Sequence, residues 1–67
     1  MKWRARSSKN TAQVFEIEHD PLVGYYFYVI ESEVCTRDEL QDTLEIAMEI
    51  AAKNYDIPRD AWVEVQE

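Results

Sequence analysis

The pattern of apolar and polar positions marks two stretches in the first half of this chain as β-strands. In Gln13–His19, Phe15 and Ile17 fall on one face, and Val14, Glu16 and Glu18 fall on the other. Residues Tyr25–Ser32 begin Tyr-Tyr-Phe-Tyr-Val-Ile, a nearly unbroken run of side chains that suit a pleated surface. Between the two, Asp20-Pro21-Leu22-Val23-Gly24 predicts a turn: proline sets φ, and the chain's only glycine supplies a positive one.

From Thr36 the period lengthens. Thr36 and Glu39 stand at capping-box spacing, where each side chain satisfies the other's free backbone N–H. The segment then runs to about Tyr55 without glycine or proline and stops before Asp56-Ile57-Pro58, which predicts a helix. Leu40, Leu44, Ala47, Met48, Ala51 and Tyr55 share a stripe about 100° wide, with Asp38, Asp42, Glu45 and Glu49 opposite. Ile46 and Ile50 fall on the flank, beside the acids. Ala61-Trp62-Val63-Glu64-Val65 predicts a last short strand.

Lys2-Trp3-Arg4-Ala5-Arg6 alternates as well. Paired antiparallel with the next strand across a loop centred on Asn10, it sets Arg4 opposite Glu16 and Lys2 opposite Glu18. The same register sets Trp3 opposite Ile17 and Ala5 opposite Phe15, and a one-residue slip destroys both sets of pairs. Residues 1–11 therefore read as a basic first strand rather than a flexible arm. Carried past the turn, the register places Ile17 against Phe27 and Phe15 against Val29. The expected fold is α+β: a small antiparallel sheet in the order β-β-β-α-β, with one amphipathic helix over Trp3, Phe15, Ile17, Phe27 and Val29. The last strand is expected parallel to the third, beside it or beside the first.

Size bounds this picture. Sixty-seven residues make one domain, 1–67, near the lower limit for folding on a single core, so a partner subunit would help. The 46% hydrophobic content argues for a folded chain. A lone Cys35 excludes an internal disulfide and fits a reducing compartment. With no membrane-length apolar run and no apolar leader at the start, the cytoplasm is the expected location. Charge is divided sharply. Residues 1–11 hold Lys2, Arg4, Arg6 and Lys9 and no acid, whereas residues 12–67 hold all 14 acids against Arg37, Lys53 and Arg59. An acidic body repels phosphate, so nucleic acid is an unfavoured partner.

A single helix leaves the second sheet face without a cover. That face is expected to carry Arg4, Arg6, Val14, Glu16, Tyr26, Tyr28 and Ile30, and tyrosine and arginine are enriched at protein contacts. The plainer reading is a half-wet antiparallel face. A second candidate surface is the acidic helix face with its flank: Asp38, Asp42, Glu45, Ile46, Glu49 and Ile50. It would offer negative charge to a basic partner, or simply be solvated.

Signals for catalysis are sparse. His19 is the only histidine, and a dyad with Cys35 would need contact between residues about a strand's length apart. The single glycine does not furnish a phosphate loop, and no metal-ligand spacing is present. No enzyme activity, cofactor or metal is expected.

Residues 14–52 show a strand, an acidic turn before Gly24-Tyr25-Tyr26, an aromatic strand, and Thr36 opening an acidic amphipathic helix. In this they resemble the HicB-like antitoxins, and the resemblance implies a small β-β-β-α domain that neutralises an RNA-cleaving toxin. The chain departs from that pattern between strand and helix. Only Ser32-Glu33-Val34-Cys35 stands where that family has a glycine-cysteine pair and a glycine-containing turn. The reading of the whole chain is a small acidic, non-enzymatic interaction domain that dimerises or binds a protein partner. The alternatives are an antitoxin-like, immunity-type or DNA-mimicking inhibitor of a basic partner, and a minor ligand-binding or catalytic module using His19.

Overall fold

The computed structural model describes residues 1–7, 9 and 12–65. It is a five-stranded antiparallel sheet with one helix packed on one face. The strands are β1 (Lys2–Arg6), β2 (Gln13–Asp20), β3 (Gly24–Glu31), β4 (Val34–Gln41) and β5 (Val63–Val65). The helix α1 spans Leu44–Tyr55, and a 3₁₀ turn at Arg59–Ala61 leads into β5. Across the sheet the order is β4-β3-β2-β1-β5. The expected α+β class is therefore observed, with one strand more than the sequence predicted.

The expected register is also observed. Trp3 pairs with Ile17, Arg4 with Glu16, Ala5 with Phe15 and Lys2 with Glu18. Ile17 pairs with Phe27 and Phe15 with Val29. Strand periodicity and charge together determine this: burying Phe15 and Ile17 while keeping Glu16 and Glu18 wet admits one parity, and opposite charges select the shift. The Asn10 loop centre lies outside the described residues.

The segment 34–41 corrects the sequence reading. It is the strand β4, exposed at every position but Gln41, and not the first turns of a helix. Thr36 caps nothing; its hydroxyl donates to the Val29 carbonyl at 3.3 Å, beside a bulge in the β3–β4 ladder. The helix cap is Thr43, whose Oγ1 accepts from Ile46 N at 3.1 Å. The reversal has a physical cause. β3 is eight residues long and would otherwise end the sheet with an unpaired row of backbone groups, and a two-residue hairpin brings 34–41 back along it. Ser32 and Glu33 both take positive φ, 50° and 69°, as a type I′ turn requires, without the glycine or asparagine that would have announced it.

That extra strand reverses the chain once more. β5 therefore runs antiparallel to β1, against which it pairs, and not parallel to the third strand as expected. Ala61 and Trp62 precede β5 instead of forming its start.

The core lies between helix and sheet. Phe15, Ile17, Phe27 and Val29 meet Ala47, Met48 and Ala51, and Ile57 and buried Trp62 close one end. Trp3, Leu44 and Tyr55 pack at its margin. Full burial of one such side chain contributes about 1.5–3 kcal/mol. Leu40, expected in the helix stripe, instead sits on β4 and is 49% exposed. The helix ends at Asp56, which takes the left-handed conformation (φ 57°) that aspartate tolerates.

Candidate protein-contact face

The β-register fixes which side chains share the helix-free face, because directly paired residues point the same way. One row across the sheet is Leu40, Tyr26, Glu18, Lys2 and Val65. The next is Asp38, Tyr28, Glu16, Arg4 and Val63. A third is Cys35, Ile30, Val14 and Arg6. The seven residues expected on the spare face thus lie together on it. Asp38 and Leu40 join them, missed because that segment was read as helix, and so do Cys35 and the two valines of β5.

This face has two chemical halves. On the β1–β2 side the charges are already matched: Arg4 Nη2 and Nε donate to Glu16 Oε2 at 2.8 and 3.0 Å, and Lys2 Nζ lies 3.9 Å from Glu16 Oε1. On the β3–β4 side the Tyr26 and Tyr28 rings stack nearly parallel, 6.0 Å apart and 15° from coplanar, with Leu40 and Ile30 flanking them. Partial burial, then Glu18 and Tyr26, with Asp38 and Cys35 adding less, push the Tyr28 phenol above its ordinary 10.0. It remains a neutral hydroxyl able to donate. Two shallow depressions flank the Tyr28–Glu16–Arg4 row. One of about 380 Å³ has Val14 and Ile30 in its lining, and one of about 320 Å³ lies between Tyr26 and the Asp20-Pro21 turn.

The second candidate surface is broken up. Asp38 belongs to the sheet face on β4 and Asp42 to the β4–α1 turn, so only Glu45, Ile46, Glu49 and Ile50 remain together on the helix. Glu45 is engaged there by Arg59, whose Nη1 donates to Oε2 at 3.0 Å. That bond holds the Glu45 carboxyl below its ordinary 4.5. Ile46 is exposed and Ile50 half-buried.

His19 and Cys35 are not brought together. His19 pairs with Tyr25 on the helix side of the sheet and stacks on its ring at 4.3 Å, whereas Cys35 pairs with Ile30 on the opposite face. Cys35 is an exposed strand residue, and its thiol donates to the Arg37 carbonyl at 3.4 Å. Among the described residues no three His, Cys, Asp or Glu side chains are grouped to hold a metal ion. No helix among them is long and apolar enough to cross a membrane.

The segment that resembled the HicB-like antitoxins differs from that expectation in the same place, since Thr36 lies in a strand and four strands precede the helix. No family model, curated protein or solved structure matches the chain.

Proposed function

We propose that this chain is a small non-enzymatic protein-interaction domain whose working surface is the helix-free sheet face, and that its first partner is a second copy of itself. One observation carries the reading. Tyr26, Tyr28, Ile30, Val14 and Leu40 form a continuous apolar and aromatic patch on the face that the single helix does not cover. Large amphipathic rings are enriched at contact surfaces. The small core adds a reason, because a domain of this size has only about 3–5 kcal/mol to spare and gains from association. An exposed free thiol at Cys35 fits a reducing cytoplasm.

Inhibition of a basic partner through an acidic helix face is the weaker reading, because the acids it relied on are divided between sheet, turn and helix. The test is solution mass by light scattering over a concentration series, for the wild type and Tyr28→Glu. The proposal expects a wild-type dimer and a folded monomer for the variant. A wild-type monomer at all concentrations, or a variant of unchanged mass, would sink it.

A further inference from the structure

Resting on that reading, we infer that two copies pack face to face about a two-fold axis running along the strands between β2 and β3. In this arrangement β3 of each copy lies over β2 of the other, and β4 lies over β1. The edges are poor alternatives. β4 presents Arg37, Asp38 and Glu39 in succession and carries a bulge, both devices that discourage edge pairing, and β5 is only three residues long. Self-association is thereby directed to the face.

The choice of axis follows from the rows. With strands kept aligned, as in packed sheets, a two-fold axis across the strands through the middle row sets Asp38 on Asp38, Glu16 on Glu16 and Arg4 on Arg4, and one placed between rows sets Arg4 on Lys2 or on Arg6. An axis along β2 sets Glu16 on itself, and one along β3 sets Asp38 over Glu16. The axis between β2 and β3 avoids all of these. It sets Asp38 over Arg4 and Tyr28 over Glu16 in one row, and Tyr26 over Glu18 in the next. In the third row it sets Ile30 over Val14, which lines the depression of about 380 Å³. Leu40 covers the aliphatic stem of Lys2. Each Arg4–Glu16 pair then gains an aspartate on its cationic end and a tyrosine hydroxyl on its anionic end. Such completion is what a desolvated ion pair needs.

An axis between β1 and β2 also avoids like charges, but it exchanges the eight-residue β4 for the three-residue β5 and leaves Leu40 and Ile30 in water. Overlap of four strands spaced ~4.8 Å apart gives roughly 450 Å² in projection per copy, near the ~1,000 Å² total of a specific interface.

Arg6→Cys tests the register against the native Cys35. Within one copy the two positions share a row three strands apart, about 14 Å, whereas packed sheets lie only ~10 Å apart. A bis-maleimide with a reach between those values should yield a covalent dimer in which peptide mapping finds position 6 joined to Cys35. Links only between the two positions 6 would indicate the β1–β2 axis and overturn the inference while leaving a sheet-face dimer. Links only between the two Cys35 residues would overturn it as well. An unlinked monomer would overturn both the inference and the proposed function. As a second variant, Asp38→Lys changes an exposed strand residue and should weaken dimerisation at least tenfold with an unchanged circular-dichroism spectrum. An unchanged mass–concentration curve would also overturn the axis.

Discussion

Replacing Gly24 with alanine would place a methyl carbon 2.6 Å from the main-chain oxygen of Gln41 and 3.6 Å from Leu40 Cδ1. Gly24 opens β3 directly after the Pro21-Leu22-Val23 turn, at φ 135°, where an L side chain is strained whatever the space. The oxygen it would meet cannot retreat cheaply, because Gln41 pairs with Tyr25 in the β3–β4 ladder. Backbone strain of this kind costs about 1–3 kcal/mol, and forcing an overlap on packed atoms costs a further ~1–3 kcal/mol. Set against the roughly 3–5 kcal/mol typical of a core this small, the substitution removes most of the stability.

Urea unfolding followed by fluorescence of the buried Trp62 measures it. Protein concentration must be held constant, since association would add to apparent stability. With a denaturant slope of about 1 kcal/mol per M, the midpoint should fall by about 2 M or more. A synthetic chain with D-alanine at position 24 moves the methyl to the other hydrogen's place and accepts the positive φ, so it should recover much of the loss. A Gly24→Ala midpoint within about 0.5 M of wild type, at that same slope, would refute both the close approach and the conformational argument.

Two further outcomes follow from the same geometry. Thr43→Ala should cost about 1 kcal/mol through the lost helix cap, whereas Thr36→Ala should cost clearly less, because Thr36 makes only a 3.3 Å bond within the sheet; the reverse order in urea melts would restore the longer helix. The Glu45 carboxyl is held below 4.5 by Arg59, so the folded state binds fewer protons there than the unfolded chain does. Any lead of the wild type over Glu45→Gln should thus be present above pH 4.5 and disappear as the pH falls through the lowered folded value, and it should be small because the pair is fully exposed. A lead that grows on acidification would contradict this sign.

Much of the architecture was legible from residues alone, and for a local reason. In β1, β2 and β3 the burial of one face and the wetting of the other admit one parity, and the charges of Lys2, Arg4, Glu16 and Glu18 choose between shifts. Each such pairing is decided by residues that meet directly, so no knowledge of the rest of the fold is needed. The turn at Asp20–Gly24 was readable in the same way. Asp20 Oδ1 accepts from Leu22 N at 2.9 Å, as a turn-forming aspartate does, and glycine follows where φ is positive.

Segment 34–41 was not readable, and the reason lies outside it. Val34-Cys35-Thr36-Arg37-Asp38-Glu39-Leu40-Gln41 carries a capping-box spacing and a leucine in step with the later helical stripe, so its local preference is divided. What decides it is the open edge of β3, whose backbone donors and acceptors need partners along eight residues. Only the assembled sheet presents that edge. The consequences reach the contact surface, because Asp38 and Leu40 move from a helix to the sheet face and the acidic helical stripe ceases to exist. They also reach topology: one added strand reverses the chain, which sets β5 antiparallel beside β1. The sequence by itself determined the first three strands, their register and which of their side chains share the helix-free face, since these rest on pairwise contacts and a two-residue period. Tertiary structure alone decided strand against helix at 34–41 and the direction of β5, because there the winning free energy came from hydrogen-bonding another strand, β3 in the first case and β1 in the second, rather than from the segment's own residues.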